Sequence, residues 1–256
     1  MSEVPVLEAS AIALNYTSNG PAVLEGFDFA LQVGEVVSIL GASGVGKSSL
    51  LRVMAGLQRP TDGTVLVNGI AVEGAHPRVA IAFQDPSLLP WLTLERNVAF
   101  GLDFKHQPTL SSDELRRRVD AAIQDVGLAH ARRNYPAQLS GGMAQRTALA
   151  RCLARRPEIL LLDEPFGALD EVTRSEMQHL LLAVVRTYRT ATVLITHDID
   201  EALLLSDRVL LLGGAPASEI GSWRIDLPKP REDYVAELGQ IRIEILSTLR
   251  DAAKRH

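Results

Sequence analysis

The chain has 256 residues, a length that permits one large domain or two small ones. Hydrophobic residues make up 46% and charged residues 22%, which is typical of a globular protein and excludes a largely disordered chain. The formal net charge is -5, so the chain offers no overall basic surface for nucleic acid or for an anionic membrane.

The single cysteine and the N-terminal sequence bear on where the protein works. Cys152 lies in a run with a helical pattern and cannot form an internal disulfide, so we expect a small core residue. The first residues lack the basic start and apolar block of a signal peptide, and no stretch approaches about 20 uncharged apolar residues. We therefore expect a cytoplasmic protein that contacts a membrane only through a protein partner.

The chain from Val6 to Gly34 alternates short apolar stretches with polar residues and turn formers, which predicts antiparallel strands. Tyr16 ends the first of them. An exposed ring there could stack on a nucleotide base, a contact worth roughly 1–3 kcal/mol. A lone aromatic residue is nevertheless more often structural.

A phosphate-binding loop follows the apolar run at residues 36–40, which predicts a buried parallel strand. Its spacing is glycine, four residues, then Gly-Lys-Ser, and its members are Gly41, Ser43, Gly44, Gly46, Lys47, Ser48 and Ser49. The glycines let backbone amides point at phosphate oxygens, and the helix that begins near Lys47 adds its positive end. Lys47 can reach the β- and γ-phosphates and Ser48 can ligate Mg²⁺, so the sequence predicts a nucleoside triphosphate site.

Gln84 ends the next predicted strand, at residues 79–83. An amide at the carboxyl end of a strand lies where ligands bind in an open α/β sheet, so Gln84 can hold Mg²⁺ or the attacking water. The alternative is a loop amide that caps a helix. Irregular chain and then helical patterns follow, and Ser111 with Glu114 predicts a capping box.

A second predicted helix begins at about Gly142 after Ser140, so its first amides form another anion site. Beyond it the sheet resumes with a buried strand at residues 159–162. Asp163 follows that strand, the position at which phosphate-loop enzymes are expected to have a carboxylate that holds Mg²⁺. Glu164 can polarise the attacking water as general base, a role typically worth about 10²–10⁴ in rate.

Another buried strand, at residues 191–195, precedes His197. A lone histidine at a strand end is as often structural as catalytic. The tail from Gly213 is expected to be less regular, with a last helix whose apolar face packs on the sheet domain or on a partner. That face carries Tyr234, Leu238, Ile241, Ile245 and Leu249.

Along nearly its whole length the chain resembles the ATP-binding subunit of an ABC transporter. The specific marker is Leu139-Ser140-Gly141-Gly142-Met143-Ala144-Gln145-Arg146, which resembles the ABC signature and is absent from other phosphate-loop ATPases. The other family motifs follow in family order: Tyr16 like the adenine-stacking aromatic, residues 41–48 like the Walker A loop, Gln84 like the Q-loop, Asp163 and Glu164 like Walker B, Asp170 in the D-loop and His197 like the switch histidine. One departure is Gly167, where many members have serine.

The resemblance implies an α/β fold: a phosphate-loop NTPase core with a mixed, mainly parallel sheet and an antiparallel β subdomain, plus an inserted helical subdomain. All of it forms one nucleotide-binding domain. We expect the sheet core at about residues 1–85 and 157–212, the helical subdomain at about 86–156 and a C-terminal tail at about 213–256.

Within the family, residues 87–98 and 166–170 and the short tail resemble the nitrate, sulfonate and taurine importer group. The resemblance implies a homodimer that binds ATP and Mg²⁺, with each ATP between Lys47 and Ser48 of one chain and Ser140, Gly141 and Gly142 of the other. It also implies integral membrane permease subunits, indirectly a solute-binding protein, no nucleic acid, and a peripheral position on the cytoplasmic face of the inner membrane.

The alternative function is a soluble ABC ATPase that acts on nucleic acid or ribosomes. A single nucleotide unit, the lack of a coiled-coil insertion and an acidic chain count against it. The segment after Gln84 offers a further distinction, because it is too short and proline-broken to bury Leu88, Leu89 and Trp91 together. Some of these side chains are expected to face membrane subunits, and the alternative is packing within the helical region.

Overall fold

The computed structural model describes residues 4–16, 20–104 and 107–254. The chain divides into two compact units, which we call the sheet unit (Met1–Ala75 and Ala191–His256) and the helical unit (His76–Thr190). The domain boundaries drawn from the sequence follow family motifs rather than compactness, and they stay a prediction.

Strands and helices are interspersed along the described chain, and they alternate one by one between residues 159 and 213, as in an α/β protein. The strands are β1 (Leu7–Asn15), β2 (Ala22–Leu31), β3 (Val36–Gly41), β4 (Asp62–Val67), β5 (Ile70–Ala71), β6 (Val79–Ala82), β7 (Ile159–Asp163), β8 (Ala191–Ile195), β9 (Arg208–Gly213) and β10 (Ser218–Arg224). The α-helices are α1 (Lys47–Met54), α2 (Leu94–Ala99), α3 (Ser112–Asp125), α4 (Gly141–Ala154), α5 (Glu171–Tyr188), α6 (Ile199–Leu205) and α7 (Val235–Ala253). None of the helices in the described ranges is both long and apolar enough to span a membrane.

The sheet unit contains an antiparallel sheet in the order β2-β1-β4-β5, which confirms the antiparallel strands expected before Gly34. A second set of strands runs in the order β10-β9-β3-β8, where β9, β3 and β8 are parallel. All five residues at 36–40 are buried, as are all five of β8. Parallel strands bury both faces, which is why these two read as continuous apolar runs.

The tail packs back on the sheet unit. Leu238 and Ile245 on α7 lie in one buried cluster with Leu40 of β3 and Leu211 of β9, so the first of the two expected packing modes is correct. The expectation of irregular chain after Gly213 is wrong for β10, which pairs antiparallel with β9.

Arg231 anchors the part of this tail that leads into α7, and it is almost fully buried. Its guanidinium donates to the carbonyl oxygens of Leu227, Leu203 and Ile225 at 2.9–3.0 Å, and also to that of Ser206. Burial lowers the pKa of this guanidinium. A charged group without these acceptors would destabilise the fold, so Arg231 fixes the chain that leads into α7.

In the helical unit β6 and β7 are parallel neighbours, with Val79 opposite Ile159. Helices α2, α3 and α4 pack on one another, and α4 also packs on β6 and α5. Cys152 of α4 is buried with its Sγ 3.4 Å from the carbonyl oxygen of Ile81, and burial raises its pKa to about 11. The expected core role of Cys152 is confirmed.

The predicted capping box at the start of α3 forms in one half. Ser111 is the N-cap, and its Oγ accepts the Glu114 amide at 3.2 Å. The Glu114 carboxylate instead accepts from Arg118 and Arg117, each at 2.9 Å. Ion pairing of the side chain therefore replaces its expected return to the N-cap amide.

Candidate nucleotide site

The phosphate-binding loop lies between β3 and α1 in the sheet unit. Gly44 and Gly46 have φ angles of 81° and 105°, in the left-handed region that favours glycine. A Cβ on Gly46 would also lie only 2.9 Å from Cγ1 of Val23. Gly46 is the N-cap of α1 and has no side chain to occupy this helix end, so the positive end of the helix dipole faces the loop.

Lys47 is the first residue of α1, and its side chain folds back into this loop. It is only 5% exposed, and its Nζ donates to the carbonyl oxygens of Gly41 at 2.8 Å and Ala42 at 2.9 Å. A buried ammonium needs such acceptors because the loss of water is costly. The loop therefore carries a fixed positive charge beside its amides, which suits phosphate oxygens.

Tyr16 follows β1 and is 67% exposed. Its hydroxyl lies 2.9 Å from Oγ of Ser49, a buried residue in the first turn of α1. This hydrogen bond ties the ring to the helix that carries the phosphate-binding loop, across 33 positions of sequence. An exposed, anchored ring near this loop is compatible with stacking on a base.

His197 is an exposed residue after β8, the strand parallel to β3. Its two neighbours are held in place. Asp198 caps α6 by accepting the amides of Asp200 at 2.9 Å and Glu201 at 3.2 Å. The Thr196 hydroxyl donates to the buried Glu201 carboxylate. The chain around His197 is thus fixed on both sides, which the sequence alone did not indicate.

The helical unit brings two of the predicted site residues together at the ends of β6 and β7. Gln84 Nε2 donates to Glu164 Oε2 at 3.4 Å, so its amide contacts a carboxylate rather than capping a helix. Asp163, the last residue of β7, is only 7% exposed. Glu164 has a φ of 45°. For a residue other than glycine this conformation costs on the order of 1–3 kcal/mol, and such strain is common at functional sites.

The signature stretch forms the start of α4 in the same unit. The helix begins at Gly141, one residue before the predicted start, and Oγ of its N-cap Ser140 accepts the Met143 amide at 3.3 Å. A Cβ on Gly142 would lie 2.4 Å from Cγ2 of Thr173, so a larger residue there would require the Thr173 side chain to move. Ser140 and Gly141 are exposed, which leaves this helix end open to an anionic ligand.

Asp170 has a clear local role as the N-cap of α5. Its carboxylate accepts the Thr173 hydroxyl at 2.7 Å and the Thr173 amide at 3.1 Å. These two hydrogen bonds hold the pKa of Asp170 below its ordinary value, and the one from the hydroxyl has the larger effect. A role of Asp170 in nucleotide binding stays a prediction.

Gln145 makes a contact with a predicted site residue that the sequence did not indicate. It is buried in α4, and its Nε2 donates to the carbonyl oxygen of Gln84 at 2.9 Å. The sequence signal was present, because Gln145 falls in the signature stretch, but no pattern joins it to a residue 61 positions away.

The predicted site residues are divided between the two units. Tyr16, the phosphate-binding loop and His197 belong to the sheet unit. The helical unit contains Gln84, Ser140, Gly141, Gly142, Asp163, Glu164 and Asp170.

Comparison with protein families gives a match to the family described as ABC transporter over residues 24–167. The chain is 45% identical to the aliphatic sulfonates import ATP-binding protein SsuB 1 of Xanthomonas axonopodis pv. citri, over 89% of this chain and 90% of that protein. It is 40% identical to the nitrate transport protein NasD of Klebsiella oxytoca, over 89% of this chain and 88% of NasD. It is 47% identical to the bicarbonate transport ATP-binding protein CmpC of Synechococcus elongatus over 82% of this chain, but it spans only 32% of CmpC.

Solved structures with the same fold include dimeric MJ0796 in a post-hydrolysis state bound to ADP and Pi, with a TM-score of 0.76 and 29% identity over 87% of this chain and 100% of that one. Another is cbiO1 of Clostridium perfringens, described as part of the ABC transporter complex cbiONQ. Its TM-score is 0.79, with 29% identity over 95% of this chain and 96% of that one.

Proposed function

The chain belongs to the ABC transporter family, and from this we propose that it is the ATP-hydrolysing subunit of an importer for a small solute such as nitrate, a sulfonate or taurine. The observation that carries the proposal is the exposed start of α4 at Ser140 and Gly141, in a chain that also has the phosphate-binding loop. The relatives named for sulfonates and nitrate, which this chain matches over most of their length, support an importer. CmpC adds bicarbonate to the candidate solutes.

Two copies of the chain are proposed to bind ATP between them, facing head to tail. The buried ammonium of Lys47 and the amides of its loop hold the phosphates, and Tyr16 stacks on the base. Residues 140–142 of the partner copy complete the site with their helix N-terminus. The dimeric state of MJ0796 supports this arrangement.

Mg²⁺ fits the residues proposed to hold it. The Ser48 hydroxyl, the Gln84 amide oxygen and the Asp163 carboxylate are hard oxygen donors of the kind that Mg²⁺ prefers. Asp163 is fixed at the end of a buried strand, which limits its motion. When bound, the ion would neutralise charge on the β- and γ-phosphate oxygens.

Hydrolysis is assigned to Glu164 as the general base that accepts a proton from the attacking water. The contact of Gln84 with this carboxylate supports a role of its amide in orienting the same water. His197, exposed and with its flanking residues fixed, is proposed to contact the γ-phosphate. Product formation then loosens the dimer, which couples hydrolysis to motion of the helical unit.

The proposed partners are integral membrane permease subunits and, indirectly, a solute-binding protein. The subunit is placed peripherally on the cytoplasmic face of the inner membrane. The description of cbiO1 as part of a transporter complex supports membrane partners. A role on nucleic acid or ribosomes receives no support from the net charge of -5.

The experiment that tests the hydrolytic assignment is Glu164→Gln. The amide keeps the shape of the side chain but loses the basic oxygen, so we expect loss of steady-state hydrolysis by about 10² or more, with ATP binding preserved and an ATP-bound dimer trapped. ATP turnover, equilibrium ATP binding and size-exclusion chromatography measure the three quantities. Glu237→Gln, at an exposed position on α7, is the matched control. Hydrolysis by Glu164→Gln within about tenfold of wild type contradicts the assignment.

A further inference from the structure

Two side chains of α4 hold the backbone that follows Gln84. Gln145 Nε2 donates to the carbonyl oxygen of Gln84 at 2.9 Å. Arg151 donates from Nη2 to the carbonyl oxygen of Pro86 at 2.8 Å and from Nη1 to that of Ser87 at 3.1 Å. Three carbonyl groups within four residues are therefore bound to one helix.

The backbone at Ser87 needs such support. Its φ is 46°, a left-handed conformation that is uncommon for a residue other than glycine. The Asp85 carboxylate accepts the Ser87 amide at 2.6 Å, and Arg151 binds the carbonyl on the other side of the same residue. A strained conformation persists only where the surroundings fix it, so these contacts determine the path of the chain after Gln84.

The chemistry of Arg151 suits this task better than that of any other cation. A planar guanidinium presents several N–H donors in fixed directions and can bind two successive carbonyl oxygens at once. A lysine at the same position has one nitrogen and a flexible stem. Gln145 is buried, so its amide donor also requires its acceptor.

We propose that Gln145 and Arg151 are positioning residues that tie residues 84–87 to α4, so that the Gln84 amide moves with this helix. The inference rests on the proposed function, in which Gln84 orients the attacking water and the start of α4 contacts the nucleotide of the partner copy. These contacts hold the Gln84 amide 3.4 Å from Glu164, so their loss leaves the amide that orients the water less well fixed.

The test compares Arg151→Met and Arg151→Lys with Arg116→Met, the same change at an exposed arginine of α3. Hydrogen–deuterium exchange of the full chain reports how firmly the backbone of residues 84–87 is held. We expect Arg151→Met to speed exchange of the Ser87 amide by about tenfold or more, because residues 84–87 lose two charge-assisted hydrogen bonds. Amides of the phosphate-binding loop are expected to exchange as in wild type.

The second measurement is ATP hydrolysis. Arg151→Met is expected to lower kcat by about tenfold while the KM for ATP and the equilibrium affinity for ATP stay within about twofold, because the groups that bind the nucleotide are untouched. Arg151→Lys is expected to recover part of kcat, and Arg116→Met to match wild type. Gln145→Met, which removes a single hydrogen bond, is expected to show the same pattern with a smaller change and serves if Arg151→Met does not fold.

Two results overturn the inference: Ser87 exchange in Arg151→Met equal to that in Arg116→Met, or a fall in ATP affinity and thermal stability that accounts for the whole loss of kcat. Failure of the proposed function looks different, because the wild-type protein itself then binds or hydrolyses no ATP. The exchange experiment still decides the contact in that case.

Discussion

At the scale of single residues, groups proposed for catalysis are held by specific contacts at a strand end and at a helix start. Glu164 adopts its left-handed backbone directly after β7 and contacts Gln84. Lys47 is almost fully buried, and its ammonium donates to two backbone carbonyl oxygens in place of water. Both arrangements cost free energy that the surrounding fold must supply, which is expected where placement of a group matters more than local stability.

A pH prediction also belongs to this scale. Hydrogen bonds from Arg118, which has the larger effect, and from Arg117 lower the pKa of the Glu114 carboxyl from 4.5 to about 2. The folded state therefore binds fewer protons here than the unfolded state, so the stabilisation is complete above pH 4.5 and is lost as pH falls towards 2. We expect Glu114→Gln to lower the melting temperature at pH 7, with a difference from wild type that shrinks below pH 4.5.

Thermal unfolding at several pH values, at low and high salt, measures this effect. The ion pairs lie at the surface, so added salt is expected to reduce the difference. Glu237→Gln on α7 is the control. A difference between Glu114→Gln and wild type that stays constant from pH 7 to pH 3 contradicts the assignment of the shift to these arginines.

At the scale of elements, two helix N-termini carry the proposed phosphate contacts. Helix α1 begins after a glycine N-cap, and the ammonium of Lys47 belongs to its own first turn. In helix α4 the hydroxyl oxygen of the N-cap Ser140 accepts a hydrogen bond from the Met143 backbone amide of the same chain. We propose that the first helix binds ATP within a single copy and that the exposed end of the second contacts a partner copy.

These two helix starts therefore predict different mutant behaviour. Lys47→Ala is expected to weaken ATP binding to the monomer by about tenfold or more, because a charge-assisted contact is lost. Ser140→Ala is expected to leave monomer binding within about twofold and to weaken ATP-driven dimerisation. It also loses an N-cap, worth about 1 kcal/mol of stability.

Equilibrium ATP binding at dilute protein and analytical ultracentrifugation with ATP separate the two effects. Ser111→Ala, which removes the N-cap of α3, controls for the loss of a cap alone. Equal loss of ATP affinity in monomers of Lys47→Ala and Ser140→Ala would refute the shared site.

At the scale of the whole molecule, an exposed apolar segment favours assembly. Trp91 is 68% exposed, and Leu88 and Leu89 are only partly buried, so the segment does not bury all three. The fully buried Asn97 fixes the backbone of this segment. Its side-chain oxygen accepts the Leu89 amide at 2.8 Å, and its side-chain nitrogen donates to the Leu89 carbonyl oxygen at 3.2 Å. A fixed segment with exposed apolar side chains is suited to a protein partner.

Replacement of Leu89 and Trp91 by glutamine is expected to spare ATP hydrolysis by the isolated subunit and to abolish association with the membrane subunits and solute uptake. Copurification from solubilised membranes and uptake by cells measure the two losses. Ile70→Gln, at an exposed apolar residue of β5, is the control. A folded double variant that assembles and transports normally places the docking surface elsewhere.

The strands that the sequence predicted best are those buried on both faces. β3, β7 and β8 are apolar at nearly every position, so a short run of sequence identified each of them. β10 carries a largely polar sequence at the end of its sheet, and it forms because β9 offers hydrogen bonds. An edge strand of this kind depends on its neighbour and has no apolar run to predict it.

By itself the sequence determined the phosphate-binding loop, the signature stretch and the carboxylates after β7, since each is a local arrangement of residue types. Only the tertiary structure decided what those groups contact. Gln145 and Arg151 reach the backbone after Gln84 across more than 60 positions, and Arg231 is buried although its charge favours the surface. The reason is physical: spacing along the chain fixes local hydrogen bonds, whereas burial and distant acceptors exist only once the chain has packed.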